Sequence, residues 1–223
     1  MSTQYRTALI IGTGPGLSSS LARLFARNGL AVAVAARNTE KLAPLAAETG
    51  CTTHACDAAS PEAVDRLFTE VEARHGAPDV VVYNASARAR GPITGLDPEA
   101  VRRAMEISAF GAFLTAQQAA RRMLPAGRGA ILLTGATAGV KGFPNSSSFA
   151  MGKFALRGLA QSLARELAPQ GVHVAHFVID GGIGPGEAQL SPDAIAETYW
   201  HVMHQHRSAW SWEVEVRPYV EKW

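Results

Sequence analysis

Cysteine is scarce in this chain, and its scarcity excludes two kinds of protein. The 223 residues include two cysteines, Cys51 and Cys56, at the two ends of a short strand-like segment. This spacing matches neither a zinc-binding nor a redox-active pair, and two cysteines cannot form the disulfide framework of a small secreted domain. We therefore interpret both residues as reduced thiols.

Long apolar runs and runs of like charge are lacking as well. No apolar stretch reaches the roughly 18 residues that a membrane-spanning helix needs, so no membrane partner is predicted. The formal net charge is +2, and arginines occur as pairs such as Arg102-Arg103 rather than as a basic arm. This pattern does not favour nucleic-acid binding. The first strand follows residues 1–6 directly, which predicts no secretory leader and a cytoplasmic location.

Short apolar segments alternate with helical patterns along the whole chain, without repeats or linkers, so we expect one domain over residues 1–223. Helices are predicted over 39–49, where Pro44 indicates a short or kinked one, and over 147–167. Three more begin with a polar residue, proline and an acid, at 60–62, 97–99 and 191–193. The predicted strands are 8–11, 30–36, 52–56, 80–83, 130–133, 172–179 and 213–216. This alternation predicts an α/β fold with a parallel sheet covered on both faces.

A glycine-rich turn joins the first strand to the first helix. Gly12, Gly14 and Gly16 let the backbone approach a ligand closely, and the following helix presents free N–H groups and a partial positive charge. The spacing departs from G-x-G-x-x-G because Leu17 occupies the last glycine position; G-x-x-x-G-x-G fits better, with Ser18 in the final place. The pattern predicts a pyrophosphate site, and a tight turn without a ligand is the alternative.

Polar residues follow the next strands, where a parallel sheet binds its ligands. Arg37 stands where an NAD-binding protein usually has an acid, so a 2′-phosphate and NADP are favoured over NAD. A solvated surface arginine is the alternative. Asp57 could accept a hydrogen bond from an adenine amine, and Asn84-Ala85 ends the fourth strand with small residues that let a cofactor approach.

Residues 7–182 resemble the short-chain dehydrogenase/reductase family, on Gly12-x-x-x-Gly16, Asp57, Asn84-Ala85, Thr134-Gly135 and Lys153. The resemblance implies a Rossmann-type, doubly wound sheet of about seven strands in three α/β/α layers, a nicotinamide cofactor and hydride transfer to a small-molecule carbonyl. It also implies a homodimer or homotetramer built on helices 98–123 and 147–167. The cofactor-binding set that it implies is Gly12, Gly14, Gly16, Leu17, Arg37, Asp57, Asn84, Ala85, Lys153 and Ile183.

The chain departs from the catalytic pattern of that family. The family uses a tyrosine to protonate the carbonyl oxygen, a lysine four residues later, a serine and an asparagine. Here Lys153 is present, but Phe149, Ala136 and Ser108 stand at the tyrosine, serine and asparagine positions. Residues 180–185 stand where the family has Pro-Gly-x-x-x-Thr, so Pro185 replaces the threonine that would hold the cofactor. Phenylalanine has no proton to give, and loss of a general acid typically costs about 10²- to 10⁴-fold in rate.

Two functions therefore remain open from the sequence. One is an NADP(H)-dependent oxidoreductase that acts on a small carbonyl or alcohol with an atypical site, in which Lys153 and Ser108 are the remaining catalytic candidates. The other is a nucleotide-binding sensor or scaffold subunit with little or no turnover. Possible substitute donors are Ser146, Ser147 and Ser148, whose hydroxyls are poor acids, and Tyr83, Tyr199, His201 and His204. His201 and His204 share a helix face that could also hold a metal, but solvated or packed histidines are favoured and no metal is predicted.

The C-terminal part, residues 182–223, is predicted to form a short substrate lid and an oligomer segment. Its aromatic residues favour a subunit contact over a lid for a small molecule, since tryptophan and tyrosine are common at interfaces. They are Trp210, Trp212, Tyr219 and Trp223.

Overall fold

A computed structural model describes residues 4–221 as a seven-stranded parallel sheet with helices on both faces. The strands are β1 (Thr7–Ile11), β2 (Ala31–Ala36), β3 (Thr52–Ala55), β4 (Val80–Tyr83), β5 (Gly129–Thr134), β6 (Val172–Ile179) and β7 (Glu213–Val216). Their order in the sheet is β3-β2-β1-β4-β5-β6-β7. The predicted doubly wound α/β fold is confirmed, and all predicted strands are present to within one residue at each end.

The helices are α1 (Leu17–Arg27), α2 (Ala43–Thr49), α3 (Pro61–His75), α4 (Pro98–Met105), α5 (Gly111–Met123), α6 (Ser147–Leu167) and α7 (Pro192–Met203). Alternate strand residues face opposite layers. Ala8 and Ile10 pack with α1, α2 and α7, whereas Leu9 and Ile11 pack with α3, α5 and α6. This alternation produces the three layers.

Local signals set several helix boundaries. The Ser60 hydroxyl accepts a hydrogen bond from the Ala63 N–H at 3.1 Å, and the Asp97 carboxylate accepts from the N–H groups of Glu99 and Ala100. Ser191 precedes α7 without a side-chain cap. Pro44 lies in the first turn of α2, where its missing N–H costs no hydrogen bond. The predicted helix 39–49 is therefore a 3₁₀ turn at Glu40–Leu42 followed by the short α2.

The predicted helix 98–123 contains a π-helical turn. Residues Glu106–Phe110 lie between α4 and α5 with wider, i to i+5 hydrogen bonding, and Ser108 is at their centre. Sequence periodicity gave no sign of this turn. It brings Ser108 against Ala87 in the loop that follows β4.

None of the helices within residues 4–221 is both long enough and apolar enough to cross a membrane.

Candidate functional site

The strand order reverses between β1 and β4, and the glycine-rich turn lies at this point. Gly12 has φ +85°, and a Cβ atom on it would lie 2.3 Å from the Ala85 backbone nitrogen. Gly12 is therefore fixed both by conformation and by the close approach of the loop after β4. Gly16, with φ +94°, is the N-cap of α1, whereas a Cβ on Gly14 would meet no atom within 4 Å.

The N-terminus of α1 is left available to a ligand. Within the described chain no side chain caps it, and its first turn has no acid. The side chain of Leu17 is buried in the core, so this residue offers only its backbone to the turn. Free N–H groups and the helix dipole make such an end a natural anion site.

Ser18 has a role that sequence reasoning missed. It occupies the final glycine position of the turn motif, and its hydroxyl accepts a hydrogen bond from Asn84 Nδ2 at 2.6 Å. The same hydroxyl donates to the Gly12 carbonyl at 3.4 Å. Asn84 therefore ties the end of β4 to the first turn of α1. Predicting this bond from the sequence would have required knowing that β1 and β4 are neighbours, in addition to recognising the glycine-rich turn.

A cleft of about 1030 Å³ opens at the carboxyl ends of these strands. It brings together most of the predicted cofactor residues, but four of them do not line it: Gly16, Leu17, Lys153 and Ile183. The lining residues most relevant to a ligand are Gly12, Thr13, Gly14, Arg37, Asn38, Lys41, Asp57, Asn84, Ala85, Arg88 and Arg103.

One end of the cleft is basic. Arg37 follows β2 and lines the cleft together with Lys41, and no carboxylate of residues 4–221 lies within ion-pair distance of either. Arg23 also reaches the cleft, but Glu48 engages its guanidinium at 2.8 Å. The exposed guanidinium of Arg37 is thus suited to a phosphate.

Asp57 lies between this end and the sheet, where it pairs with the guanidinium of Arg103 on α4. Its other oxygen accepts from the Ala59 N–H at 3.1 Å. Burial alone would raise the pKa of Asp57, but the Ala59 N–H and Arg103 together hold it below its usual value. The carboxylate is therefore ionised and oriented, and Arg103 is a partner that the sequence did not indicate.

Lys153 lies on α6 beyond the cleft lining. It is 3% exposed, and its Nζ donates a hydrogen bond to the Thr134 carbonyl at 2.7 Å. Burial, with a smaller effect from the positive charge of Arg88, lowers the pKa of Lys153 from 10.5 to about 8. The Phe149 ring lies one turn earlier, with its centroid 5.8 Å from Nζ.

The hydroxyl groups near Ala136 and Phe149 are already engaged. Thr134 Oγ1 bonds with the Tyr199 hydroxyl at 2.9 Å, and Thr137 Oγ1 donates to Asp180 Oδ1 at 2.5 Å. Ser148 Oγ donates to the Ala89 carbonyl at 2.7 Å. None of these three hydroxyl groups is therefore free to donate a proton into the cleft.

Ser108 holds the loop after β4 instead of reaching into the cleft. Its Oγ donates to the carbonyl of Ala87 and accepts from the N–H of the same residue, both at 3.2 Å. A Cβ on Gly152 would lie 2.8 Å from Ser108 Cβ, so α6 packs directly on the π turn. Tyr83 is fully buried and donates to the Ile107 carbonyl, which supports the packing interpretation of this tyrosine.

Arg88 is a site residue that sequence reasoning missed. It lines the cleft, and its guanidinium carbon lies 4.6 Å from the centroid of the Phe149 ring. The arginine therefore covers Phe149, the residue at the position where the resemblance to the family implies a tyrosine. The sequence did offer one signal for Arg88. It lies four residues after Asn84, which follows a central strand, and such positions border the ligand crevice of a parallel sheet.

The other predicted donors lie elsewhere. Tyr199 is buried in the core, stacked on Phe177 at a centroid distance of 3.5 Å. His204 donates from Nδ1 to the Trp200 carbonyl and packs on Tyr5. Tyr5 precedes β1, so this contact lies at the amino ends of the strands, away from the cleft. Within residues 4–221 no three His, Cys, Asp or Glu side chains form a group suited to a metal.

The C-terminal aromatic residues are used within the chain. Trp210 stacks on His173 at 4.6 Å between centroids, and Trp212 lies beside Arg157. Tyr219 is exposed, and the predicted contact at Trp223 lies outside the described residues. Ile183 bridges to Leu190 in a small loop. The lid and oligomer roles of residues 182–223 stay predictions.

Comparison with known proteins gives consistent matches. Residues 6–184 match the family model described as short chain dehydrogenase. Among curated proteins, a 3-oxoacyl-[acyl-carrier-protein] reductase, MabA, from Mycobacterium avium is 33% identical over 178 residues, which cover 80% of this chain and 67% of that protein. Oxidoreductase asL5 from Sarocladium schorii is 32% identical over 171 residues, covering 76% and 69% respectively.

Solved structures agree with the fold. A short-chain dehydrogenase from Rhodopseudomonas palustris has a TM-score of 0.87 and 36% identity, with 97% of this chain and 100% of that chain covered. A metagenomic short-chain oxidoreductase in complex with NADP has a TM-score of 0.88 and 28% identity, and the match covers 97% of this chain and 98% of that chain.

The lowered pKa of Lys153 makes stability depend on pH in a defined direction. Below about pH 8 the folded chain must hold a buried ammonium group; between about pH 8 and 10.5 the folded chain has released this proton and the unfolded chain has not. Relative to Lys153→Met, the free energy of unfolding of the native chain should rise by about 2 kcal/mol between about pH 7 and pH 10, measured by urea denaturation.

Lys141→Met is the matched control, since Lys141 is exposed. The difference in free energy of unfolding between Lys141→Met and the native chain should stay constant over the same pH range. A constant difference for Lys153→Met as well would show that Lys153 keeps an ordinary pKa in the folded chain.

Proposed function

The chain belongs to the short-chain dehydrogenase family, and on this premise we propose that it binds NADP(H) and acts as an oxidoreductase on a small carbonyl or alcohol. The observation that carries the proposal is the cleft itself. It joins an uncapped helix N-terminus, the exposed Arg37 and the ionised Asp57 in one continuous space beside the β1–β4 switch point.

The residues present fit such a cofactor. The first turn of α1 would hold the pyrophosphate, and Asp57 would accept from the adenine amine. Arg37, with Lys41 nearby, would hold a 2′-phosphate, which favours NADP over NAD. Lys153 would hold the nicotinamide ribose, as the family resemblance implies. The related metagenomic oxidoreductase in complex with NADP supports this choice.

When bound, a reduced nicotinamide supplies a hydride to a carbonyl carbon. The electron pair of the carbonyl then moves to the oxygen, which must take up a proton. Phe149 and Ala136 have no hydroxyl for that oxygen, so the proton comes from water or from the Lys153 ammonium. Loss of an acid and of an oxyanion donor costs about 10²- to 10⁴-fold and 10²- to 10³-fold respectively, without strict additivity. We propose slow turnover with ordinary carbonyl substrates.

A second candidate is a nucleotide-binding sensor or scaffold subunit. The observation in its favour is that Phe149 and Ala136 replace the two hydroxyl groups while the cofactor cleft is intact. Under this alternative NADP(H) binds, but no carbonyl substrate is reduced at a measurable rate.

We also propose a homodimer or homotetramer that uses the two long helices. Four large apolar side chains on α5, α6 and the adjoining π turn are 42 to 51% exposed: Phe110, Phe113, Met151 and Phe154. Phe110 and Phe113 stack on each other. Such a patch is unusual for a surface that faces only water.

The free thiols of Cys51 and Cys56 are buried, in keeping with the proposed cytoplasmic location.

Arg37→Met should weaken NADPH binding by about 10- to 100-fold and leave NADH binding nearly unchanged, because NADPH carries the 2′-phosphate and NADH does not. Fluorescence titration of both nucleotides measures the difference. Arg74→Met, at the end of α3 and outside the cleft, is the control that should change neither affinity. Equal losses for NADPH and NADH would contradict the assignment of Arg37.

Restoring the missing hydroxyls should restore catalysis. The double variant Phe149→Tyr with Ala136→Ser should raise kcat for aldehydes and ketones by about 10²- to 10⁴-fold, since it supplies an acid four residues before Lys153. NADPH oxidation over a carbonyl panel gives kcat for both proteins. Phe154→Tyr, which adds a hydroxyl on the same helix, is the control.

The claim of a missing acid fails if the native chain already turns over at 1–10³ s⁻¹, roughly the usual range for enzymes. It also fails if the double variant binds NADPH normally and gains no rate.

Phe113→Glu with Phe154→Glu should convert the assembly to monomers, because two carboxylates in an apolar interface lose their hydration. Sedimentation velocity measures the mass. Ile93→Glu is the control, since Ile93 is 76% exposed in the loop that precedes α4. A native chain that is already monomeric, or a double variant that still assembles, would refute the helix interface.

A further inference from the structure

The loop after β4 is held rigidly at two points. Ser108 bonds both backbone groups of Ala87, and Ser148 bonds both backbone groups of Ala89, at 2.9 Å to its N–H and 2.7 Å to its carbonyl. Both serines are buried. Arg88 lies between these two anchored residues, so its side chain starts from a fixed backbone.

The guanidinium of Arg88 points over the site. It covers Phe149 at 4.6 Å and contributes to the cleft wall. Throughout residues 4–221, no carboxylate lies within ion-pair distance of Arg88, and no hydrogen-bond acceptor engages it. The aromatic face holds the planar group in place and leaves its N–H donors for a ligand.

The two chain segments that surround Arg88 carry charge of one sign. Residues 84–96 and 134–153 contain no acid and contribute Arg88, Arg90, Lys141 and Lys153. The two segments meet where the Gly91 N–H donates to the Asn145 carbonyl at 3.2 Å. The Lys153 Nζ lies 5.8 Å from the same Phe149 centroid that Arg88 covers. This end of the site therefore has two cations on one aromatic ring, and the nearby Asp180 carboxylate is bonded to Thr137 and paired with Arg217.

We propose that Arg88 is a specificity-determining residue that binds a carboxylate of the substrate, so that the substrate class is an oxo acid or hydroxy acid. The inference rests on the proposed oxidoreductase function. A guanidinium matches a carboxylate with two parallel N–H···O bonds, which a lysine cannot reproduce. Arg37 and Lys41 lie at the other end of the cleft, where the 2′-phosphate is proposed, so Arg88 is free for the substrate.

Binding tests this inference without turnover. Pentanoate and pentanamide are nearly isosteric, and calorimetry would titrate each into the full chain, alone and with NADP⁺. We expect pentanoate to bind at least about 10-fold more tightly, as charge-assisted pairing predicts. Arg88→Met should abolish this preference and Arg88→Lys should retain part of it, whereas the control Arg90→Met should retain all of it. Circular dichroism of each variant confirms folding.

Kinetics provide the second measurement. The 2-, 3- and 4-oxopentanoates are each compared with their methyl esters, using NADPH, in the native chain and in Arg88→Met. At least one acid should exceed its ester in kcat/KM by about 10- to 100-fold, mainly through KM, and the variant should lose this ratio.

The outcomes separate the two proposals. Failure to bind NADP(H) overturns the proposed function, and the pentanoate titration of the free chain still decides the role of Arg88. Normal NADP(H) binding with equal affinity for pentanoate and pentanamide overturns only the carboxylate inference. A loss of NADP⁺ affinity in Arg88→Met would assign Arg88 to the cofactor and also overturn it.

Discussion

The contact between the end of β1 and the end of β4 is the constraint on which the site depends. The Asn84 N–H donates to the Ile11 carbonyl at 2.9 Å, and Gly12 leaves no room for a side chain beside Ala85. From this point the chain leaves β1 for α1 on one face of the sheet and β4 for α4 and α5 on the other. Two neighbouring strands whose connections diverge necessarily leave a crevice between them. The cleft is therefore a consequence of topology before any ligand is considered.

A second set of contacts holds the part of the site around Lys153, and it uses no side chain at position 136 or 149. Ser108 and Ser148 bind the backbone of the loop after β4, Lys153 binds the Thr134 carbonyl, and Gly152 lets α6 approach the π turn. None of these interactions involves a side-chain oxygen at position 136 or 149. The proposed loss of the tyrosine and serine hydroxyls would therefore change the chemistry of the site and leave the backbone that surrounds it in place.

Sequence reasoning worked where the signal is local or periodic. Strands 80–83, 172–179 and 213–216 and helix 147–167 were predicted with their observed bounds, because buried parallel strands are continuous apolar runs and proline and glycine end helices. The cleft residues at the ends of β1, β2 and β4 followed from the same logic, since parallel strands place their carboxyl ends together.

The features that were missed depend on contacts between distant residues. The π turn at 106–110 is set by packing against α6, and no local spacing announces it. Arg103 meets Asp57 across 46 residues, and Asn84 meets Ser18 across 66. Tyr199 was predicted as a candidate proton donor, but its hydroxyl bonds with Thr134 in the core. A sequence pattern indicates which side chains face inward, and only the fold shows what they meet there.

The chemistry that this site can support follows from the two cations that remain. A guanidinium keeps its proton at any physiological pH, so Arg88 can stabilise negative charge but cannot supply a proton. The Lys153 ammonium can supply one, because burial lowers its pKa to about 8, close to neutrality. The two cations thus differ in what they can do, and both lie against the Phe149 ring, with Arg88 Cζ 4.6 Å and Lys153 Nζ 5.8 Å from its centroid. An anionic substrate lowers the electrostatic cost of holding both cations together, and for this reason the charge of the site argues for an acid more strongly than for a neutral ketone.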